Sequence, residues 1–394
     1  MIIRGFQYAA AAAGIRKKDR LDLGLIYAEK PAAAAGVFTT GRVKAAPVLL
    51  DMERLAGGRV QAILVNSGVA NACTGAGGMA AAQACSAMVA AALNIDENLV
   101  QLASTGVIGE QLPVEKIAAV MGDLVARLAP AGAGDVARAI MTTDTVPKTA
   151  ERSCSIGSRE VKLFGMAKGA GMIMPDMATM LSFVMTDADI GAAVLQHHLV
   201  EAVNRSFNRI TIDGDTSTND TVLALAGCSA GNPALISLAE PGNDAFGAAL
   251  KDLLRDLALQ IVADGEGATK LVTVRVIHAA SSEDAEQAAR TIANSPLVKT
   301  AFFGEDANWG RIIAALGRSG AVFAPDRVDI TFDDVRLVRN GMALGPAAEK
   351  AATAVLKQDR FTVTVDLKEG NASDEIYTTD LSLDYIKINA DYRS

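Results

Sequence analysis

The chain has 394 residues, half of them hydrophobic, with a formal net charge of −8, three histidines and four cysteines. That size can bury one large core or two smaller ones, and the acidic balance argues against non-specific nucleic-acid binding and against a polybasic membrane surface. Cys73, Cys85, Cys154 and Cys228 stand far apart without a CxxC pair, which disfavours a zinc or disulfide framework and fits a reducing cytoplasm. The N-terminal Ala run is followed, not preceded, by basic residues, the reverse of a signal peptide. No stretch of ~18 apolar residues predicts a membrane span.

In chain order, residues 61–66 (QAILVN) read as a short strand that stops at a Gly/Ser turn. Residues 78–93 are Ala-rich and predict a closely packing helix. A second helix is predicted over 112–128, with Pro113 near its start. Residues 181–185 and 221–225 read as buried strands, and 245–262 as an amphipathic helix ending before Asp264-Gly265. The period-two alternation of 270–277 (KLVTVRVI) predicts a half-buried strand. Helices are expected at 283–292 and 346–356, and strands at 328–332, 361–367 and 385–388. Strands interleaved with helices predict an α/β fold of mixed sheets packed in layers. No repeat and no low-complexity linker divides the chain.

Familiar catalytic motifs are missing. His197 and His198 are adjacent in a predicted helix and cannot face one direction, and His278 ends a predicted strand. There is no GxSxG elbow, HExxH or Walker loop, and no motif supports a His-based triad. Gly75-Ala76-Gly77-Gly78 lacks the full GxGxxG of a dinucleotide site. Residues 213–220 (DGDTSTND) begin like a calcium loop but lack its sixth-position Gly, with Ala224 where the twelfth-position Glu belongs. Asx and hydroxyl turns explain them more simply.

A different nucleophile is suggested by residues 168–187, KGAGMIMPDMATMLSFVMTD. A Gly- and Met-rich approach leads to Ala178-Thr179, and a buried strand follows. A Thr hydroxyl is a poor nucleophile without an adjacent base. Cutting the Ala178–Thr179 bond frees an α-amine on Thr179 that can be that base, with a reference pKa of about 7.7–8.0. Composition alone favours an ordinary core strand carrying one hydroxyl. Thr105-Gly106, after a short strand, could supply a hydroxyl and a backbone donor to an oxyanion, although Thr-Gly pairs more often make plain turns. Residues 141–148 (MTTDTVPK) are polar and hydroxyl-rich, stiffened by Pro147. Lys168 could hold a carboxylate, and Glu266, in a loop before a strand, an ammonium group. Such charges are more often solvated.

Eight segments together resemble the ornithine acetyltransferase (glutamate N-acetyltransferase) family of arginine biosynthesis. They are NSGVANACTG from Asn66, STGVIGE from Ser104, TTDTVPK from Thr142, KGAGMIMPDMATML from Lys168, RSFNRITIDGDTSTND from Arg205, DGEGATKLV from Asp264, FGEDANWGRIIAALGRSG from Phe303 and INADYRS from Ile388. They run in family order across nearly the whole chain. The resemblance implies a layered α/β fold of the N-terminal-nucleophile type. It implies a precursor cleaved between Ala178 and Thr179 into an α chain, 1–178, and a β chain, 179–394, that stay associated as an (αβ)2 heterotetramer. Thr179 is then the nucleophile, and Thr105 and Gly106 are the oxyanion donors. Thr142, Lys168, Thr179, Glu266, Asn389 and Ser394 become substrate contacts.

The implied reaction moves acetyl from N-acetylornithine to glutamate, without a metal or a resident cofactor. Some members of the family also use acetyl-CoA as donor. Two positions depart from the family pattern: Ser394 replaces a terminal Thr, and Met174-Pro175-Asp176 replaces His-Pro-Asn. The nearest alternative is an N-terminal-Thr hydrolase, a peptidase or amidase whose acyl-enzyme goes to water.

Overall fold

The computed structural model describes residues 1–174 and 180–391. Ala178, Thr179 and Ser394 therefore lie outside the described residues. The chain forms two compact units, Met1–Asn208 with Asp215–Ile261, and Arg209–Gly214 with Val262–Ser394.

The first unit is built on one mixed sheet. Its strands are β1 (Phe6–Ala11), β2 (Leu23–Phe38), β3 (Arg59–Val69), β4 (Val100–Val107), β5 (Lys148–Ile156), β6 (Arg159–Lys168), β7 (Leu181–Thr186) and β8 (Thr221–Ala226). Its helices are α1 (Ala46–Arg54), α2 (Gly75–Leu93), α3 (Val114–Ala126), α4 (Ala133–Ala139), α5 (Ala192–Asn204) and α6 (Asn243–Ala263), the last running to the unit boundary. The strand order is β4-β3-β2-β8-β7-β6-β5, with β1 also paired to β2. β3–β4 and β7–β8 are parallel and the other ladders antiparallel.

Strand β2 organises this sheet. Its first half pairs with β1 and β3 and its second half with β8, with a register break between Tyr27 and Ala32. The break contains Glu29, Lys30 and Pro31, all exposed. Proline cannot donate to a ladder and charged residues resist burial, so the strand bends there rather than running straight through.

Alternate residues of the strands enter two separate cores, as a period-two pleat requires. Ile26, Ile63, Val65 and Ala103 join Phe164, Phe183 and Leu223 on one face, covered by Val136 and Ile140 of the α4 region. Leu25, Ala62, Leu64 and Leu102 face Val89 of α2 and Ile117 of α3 on the other. A sheet covered on both faces reads as near-continuous apolar runs. That is why β7 (LSFVMT) and β8 (TVLALA), buried at every position, are legible in the sequence.

One expectation needs correction. Helix α2 is long and apolar enough to cross a membrane by length and composition. Its hydropathy comes mainly from Ala, and Ala82, Cys85, Val89 and Ala90 pack into the core beside α3.

The second unit has a six-stranded sheet of β9 (Leu271–Ala279), β10 (Asp329–Phe332), β11 (Val335–Arg339), β12 (Met342–Ala343), β13 (Arg360–Asp366) and β14 (Ala372–Thr379). The order is β12-β11-β10-β13-β9-β14, with only β9–β13 parallel among these pairs. Helices α7 (Ser282–Ala293), α8 (Pro296–Phe303), α9 (Trp309–Gly317), α10 (Pro346–Leu356) and α11 (Leu383–Ala390) complete it. Ser281 caps α7 by accepting from the Asp284 N–H. Ala285, Ala288, Ala289 and Ile292 of α7 then enter one core with Val272, Val274 and Ile376 of the sheet.

Residues 385–388 are helical, not a strand. Ser382 caps α11 by accepting from the Tyr385 N–H, with Asp384 in the first turn. The alternation in YIKI suggested a half-buried strand, yet Leu383 and Ile386 are well over half exposed and α11 buries no residue.

The mixed α/β layered architecture is the one the sequence predicted. The compact units do not follow the expected scissile bond. That bond falls between β6 and β7, which pair from Leu163–Thr186 to Lys168–Leu181.

Candidate active site

In the first unit, Thr105 and Gly106 occupy the last turn of the β4 ladder, inside the strand rather than after it. The parallel register sets Ser67 beside Thr105 and Gly68 beside Gly106. Gly106 has φ +134°, and a Cβ there would lie 2.2 Å from the Gly68 carbonyl carbon. Only glycine fits so close an approach in that backbone conformation. Both Thr105 and Gly106 remain partly accessible.

Lys168 ends β6 and is nearly buried, with Nζ 3.5 Å from Thr105 Oγ1 and 3.9 Å from Asp144 Oδ2. Asp144 anchors the surrounding residues. It accepts from Lys148 Nζ at 2.7 Å, from the Gly169 N–H at 2.8 Å and from the Thr142 N–H at 2.9 Å. Burial opposes charge on this carboxyl, but the Lys168 and Lys148 ammonium groups and the Lys148 and Thr142 hydrogen bonds outweigh it. They hold Asp144 well below the usual carboxylate range. Three of the predicted residues, Thr105, Thr142 and Lys168, are thus tied together around Asp144.

Behind Thr105 lies a buried polar network. Ser104 Oγ donates to Asn66 Oδ1 at 2.6 Å, and Asn66 Nδ2 donates to the Val69 carbonyl at 2.9 Å. Asn219 Nδ2 donates to the Ala70 carbonyl at 2.6 Å and to the Ser104 carbonyl at 2.8 Å. Next to it, Asp220 Oδ1 accepts from the Met180 N–H at 2.8 Å. Burial pushes the Asp220 carboxyl well above the usual range, against the pull of the Met180 N–H. The nearby Thr39 hydroxyl, which also pulls Asp220 down, donates to the Ser217 carbonyl at 3.0 Å.

In the second unit, the structure joins two further predicted residues. Asn389 Nδ2 donates to Glu266 Oε2 at 2.8 Å and to the Tyr385 carbonyl at 3.0 Å. Glu266 is 8 % exposed. Its loop is pressed onto the start of α11: Ser382 Oγ donates to the Gly267 carbonyl at 2.6 Å, and a Cβ at Gly267 would lie 2.4 Å from the Tyr385 nitrogen.

Asp144, Lys148, Asn219 and Asp220 were not singled out in the sequence. Asp144 and Lys148 left a faint signal, an acid and a base four residues apart in a hydroxyl-rich segment. Asn219-Asp220 left another, as two polar residues directly before an apolar strand.

The chain is similar to known proteins along its whole length. A model of the ArgJ family matches residues 7–394. The arginine biosynthesis bifunctional protein ArgJ of Desulfotalea psychrophila is 57 % identical over 394 residues, covering 100 % of both chains. The protein of the same name from Geobacter sulfurreducens is 52 % identical, again covering 100 % of both. A crystal structure of the arginine biosynthesis bifunctional protein ArgJ from Bacillus halodurans superimposes with a TM-score of 0.52 at 45 % identity, covering 54 % of this chain and 99 % of the solved one. The chain belongs to the ArgJ family.

Proposed function

We propose that this protein is an acetyltransferase of arginine biosynthesis that carries acetyl from N-acetylornithine to glutamate through an acetyl-Thr179 intermediate. The observation that carries the reading is the contact of Lys168 Nζ with Thr105 Oγ1. A lysine that donates to the Thr105 oxygen leaves the Thr105 hydroxyl hydrogen to point elsewhere, toward an oxyanion.

Maturation comes first. The Thr179 hydroxyl attacks the Ala178 carbonyl, the N→O acyl shift gives an ester, and water hydrolyses it to free the Thr179 amine. The two products would remain together because β6, before the cut, pairs with β7, after it.

In turnover, the Thr179 amine takes the hydroxyl proton as Oγ attacks the acetyl carbonyl carbon. Thr105 and Gly106 receive the negative charge. The tetrahedral intermediate collapses with proton transfer to the departing nitrogen, releasing ornithine and leaving an acetyl ester on Thr179. The glutamate amine then attacks the ester, its proton returns to Thr179, and N-acetylglutamate leaves. Acetyl-CoA, in members that use it, would enter by the same first half-reaction. Lys168 and the C-terminal contacts Asn389 and Ser394 favour substrate carboxylate, while Glu266 favours ammonium. No metal or resident cofactor is needed, because the Thr179 amine supplies the base. The assembly proposed is an (αβ)2 heterotetramer in the cytoplasm.

The test is an assay of purified protein with N-acetylornithine, with and without glutamate, beside a denaturing gel. Expected are glutamate-dependent ornithine release and pieces of about 178 and 216 residues. Acetate release independent of glutamate would make the protein a hydrolase. Activity from an uncut chain would overturn the amine-as-base mechanism.

A further inference from the structure

We propose that the neighbouring side chains of Asn219 and Asp220 are positioning residues that set the separation between the nucleophile and the oxyanion donors. The inference rests on Thr179 being the nucleophile.

Met180 directly follows Thr179, and both its backbone groups are held from one place. Its N–H donates to Asp220 Oδ1 at 2.8 Å, and its carbonyl accepts from the Thr221 N–H at 3.1 Å. The β7–β8 ladder begins one residue later, at Leu181 and Thr221. The Asp220 side chain therefore takes over as acceptor where the strand ladder has run out. The peptide group is planar, and the Met180 N–H that Asp220 holds belongs to the peptide that follows Thr179 in the chain.

Asn219 does the same for the other partner. Its Nδ2 holds the Ser104 carbonyl at 2.8 Å, and that carbonyl belongs to the planar peptide leading into Thr105. A second bond, to the Ala70 carbonyl at 2.6 Å, ties it to the segment after β3. Thr218 Oγ1 donates to Asn219 Oδ1 at 2.6 Å, which fixes which way the carboxamide faces. Adjacent side chains thus grip the peptide after the nucleophile and the peptide before the oxyanion hydroxyl. Asn219 and Asp220 are both buried, at 6 % and 3 % exposure, so water cannot substitute for either bond. Burial also favours the uncharged form of Asp220, in which a carboxamide can replace the carboxylic acid with its accepting oxygen retained.

The experiment compares Asp220→Asn with Asp220→Ala in the full chain, reading melting temperature, extent of cleavage, and kcat and KM per cleaved chain with N-acetylornithine and glutamate. Asp220→Asn should cleave and keep kcat within about threefold. Asp220→Ala should cleave slowly or not at all, or turn over about 10- to 100-fold more slowly with KM little changed, the effect of a misplaced reacting group. A folded Asp220→Ala protein with parental cleavage and kcat would overturn the proposal, as would an Asp220→Asn protein that melts like the parent but is as inactive as Asp220→Ala. If Asp220→Ala does not fold, Asp220→Leu, which also lacks an acceptor, takes its place. Failure of both to fold makes Asp220 a residue of the fold alone and equally overturns the proposal. Failure of the Thr179 reading is separable, because it would show in the parent as an uncut active chain or as acetyl label on another side chain.

Discussion

Lys168 and Thr105 meet at 3.5 Å although their strands, β6 and β4, stand five ladder steps apart in the sheet order. At about 4.8 Å per step a flat sheet would separate them by roughly 24 Å, far beyond the reach of a lysine. The sheet must curl, and the register break at Pro31 in β2 is where its two halves change partners. Folding is thus what creates the contact between the Lys168 ammonium and the Thr105 hydroxyl.

That contact gives the first prediction. Thr105→Val keeps the shape of the side chain and removes the donor, so kcat for acetyl transfer should fall about 10²–10³-fold, or about 2.7–4 kcal/mol. Lys168→Met should also lower kcat, by about tenfold or more, because the Thr105 hydroxyl loses the group that orients it. Initial-rate assays on cleaved protein check both. Unchanged kcat in Thr105→Val would move the oxyanion site elsewhere.

A second prediction concerns stability. The Asp144 and Lys148 side chains are both 0 % exposed, and Asp144→Asn would remove the carboxylate that Lys148 meets at 2.7 Å. Breaking a buried pair from one side costs about 3–5 kcal/mol, measurable as a lower denaturant midpoint at pH 7. The sign with pH follows from linkage. The folded carboxyl titrates below its unfolded value of about 3.9, so its contribution is fully present above that pH and is lost as the pH falls further. The gap between parent and variant should therefore be constant from pH 7 to about 5 and close in acid. A gap that widens in acid would contradict the pairing.

How far the sequence disclosed this arrangement depends on whether the signal is local. Strands β7 and β8 are apolar runs and were legible. Strand β2 was not, because Glu-Lys-Pro interrupts it and its second half is largely alanine. Local pattern also misled at α11, where alternation in YIKI suggested a strand but no burial accompanies it. Thr105, Thr142 and Lys168 were named from the sequence, whereas the residue that joins Lys168 to Thr142, Asp144, was not. Its partners come from residue 142 and from the end of β6, and only the sheet brings them together. Asp220 was hidden for a similar reason: its segment reads as Asx and hydroxyl turns until Met180 is placed against it.

The third prediction lies in the second unit. Lys299 is buried and donates to Thr378 Oγ1 at 2.9 Å and to Thr379 Oγ1 at 3.1 Å. Burial lowers it to about 7, against the opposing pull of Asp380 and Asp213. The unfolded chain, at about 10.4, binds the proton that the folded one gives up between these values. Stability of this unit should therefore rise with pH between about 7 and 10, by up to about 1.4 kcal/mol per unit. The cost of holding the charge is fully present below pH 7. Lys299→Met should flatten that rise in denaturant titrations at several pH values, and an equal slope in both proteins would refute the assignment.

The last prediction separates the two substrates. Glu266 accepts from Asn389 Nδ2, and a glutamine at 266 would keep an oxygen for that bond while removing the charge. If Glu266 holds the ornithine ammonium, Glu266→Gln should raise KM for N-acetylornithine about tenfold or more, the worth of a charge-assisted hydrogen bond of about 1.5–3 kcal/mol. KM for glutamate, which brings a carboxylate at that end of the molecule, should move little. Because the acetyl-enzyme divides the cycle into two half-reactions, the two constants can be measured independently by varying one substrate at saturating levels of the other. Equal increases in both would mean that Glu266 supports the pocket without distinguishing its occupants. No change in either would remove it from the site.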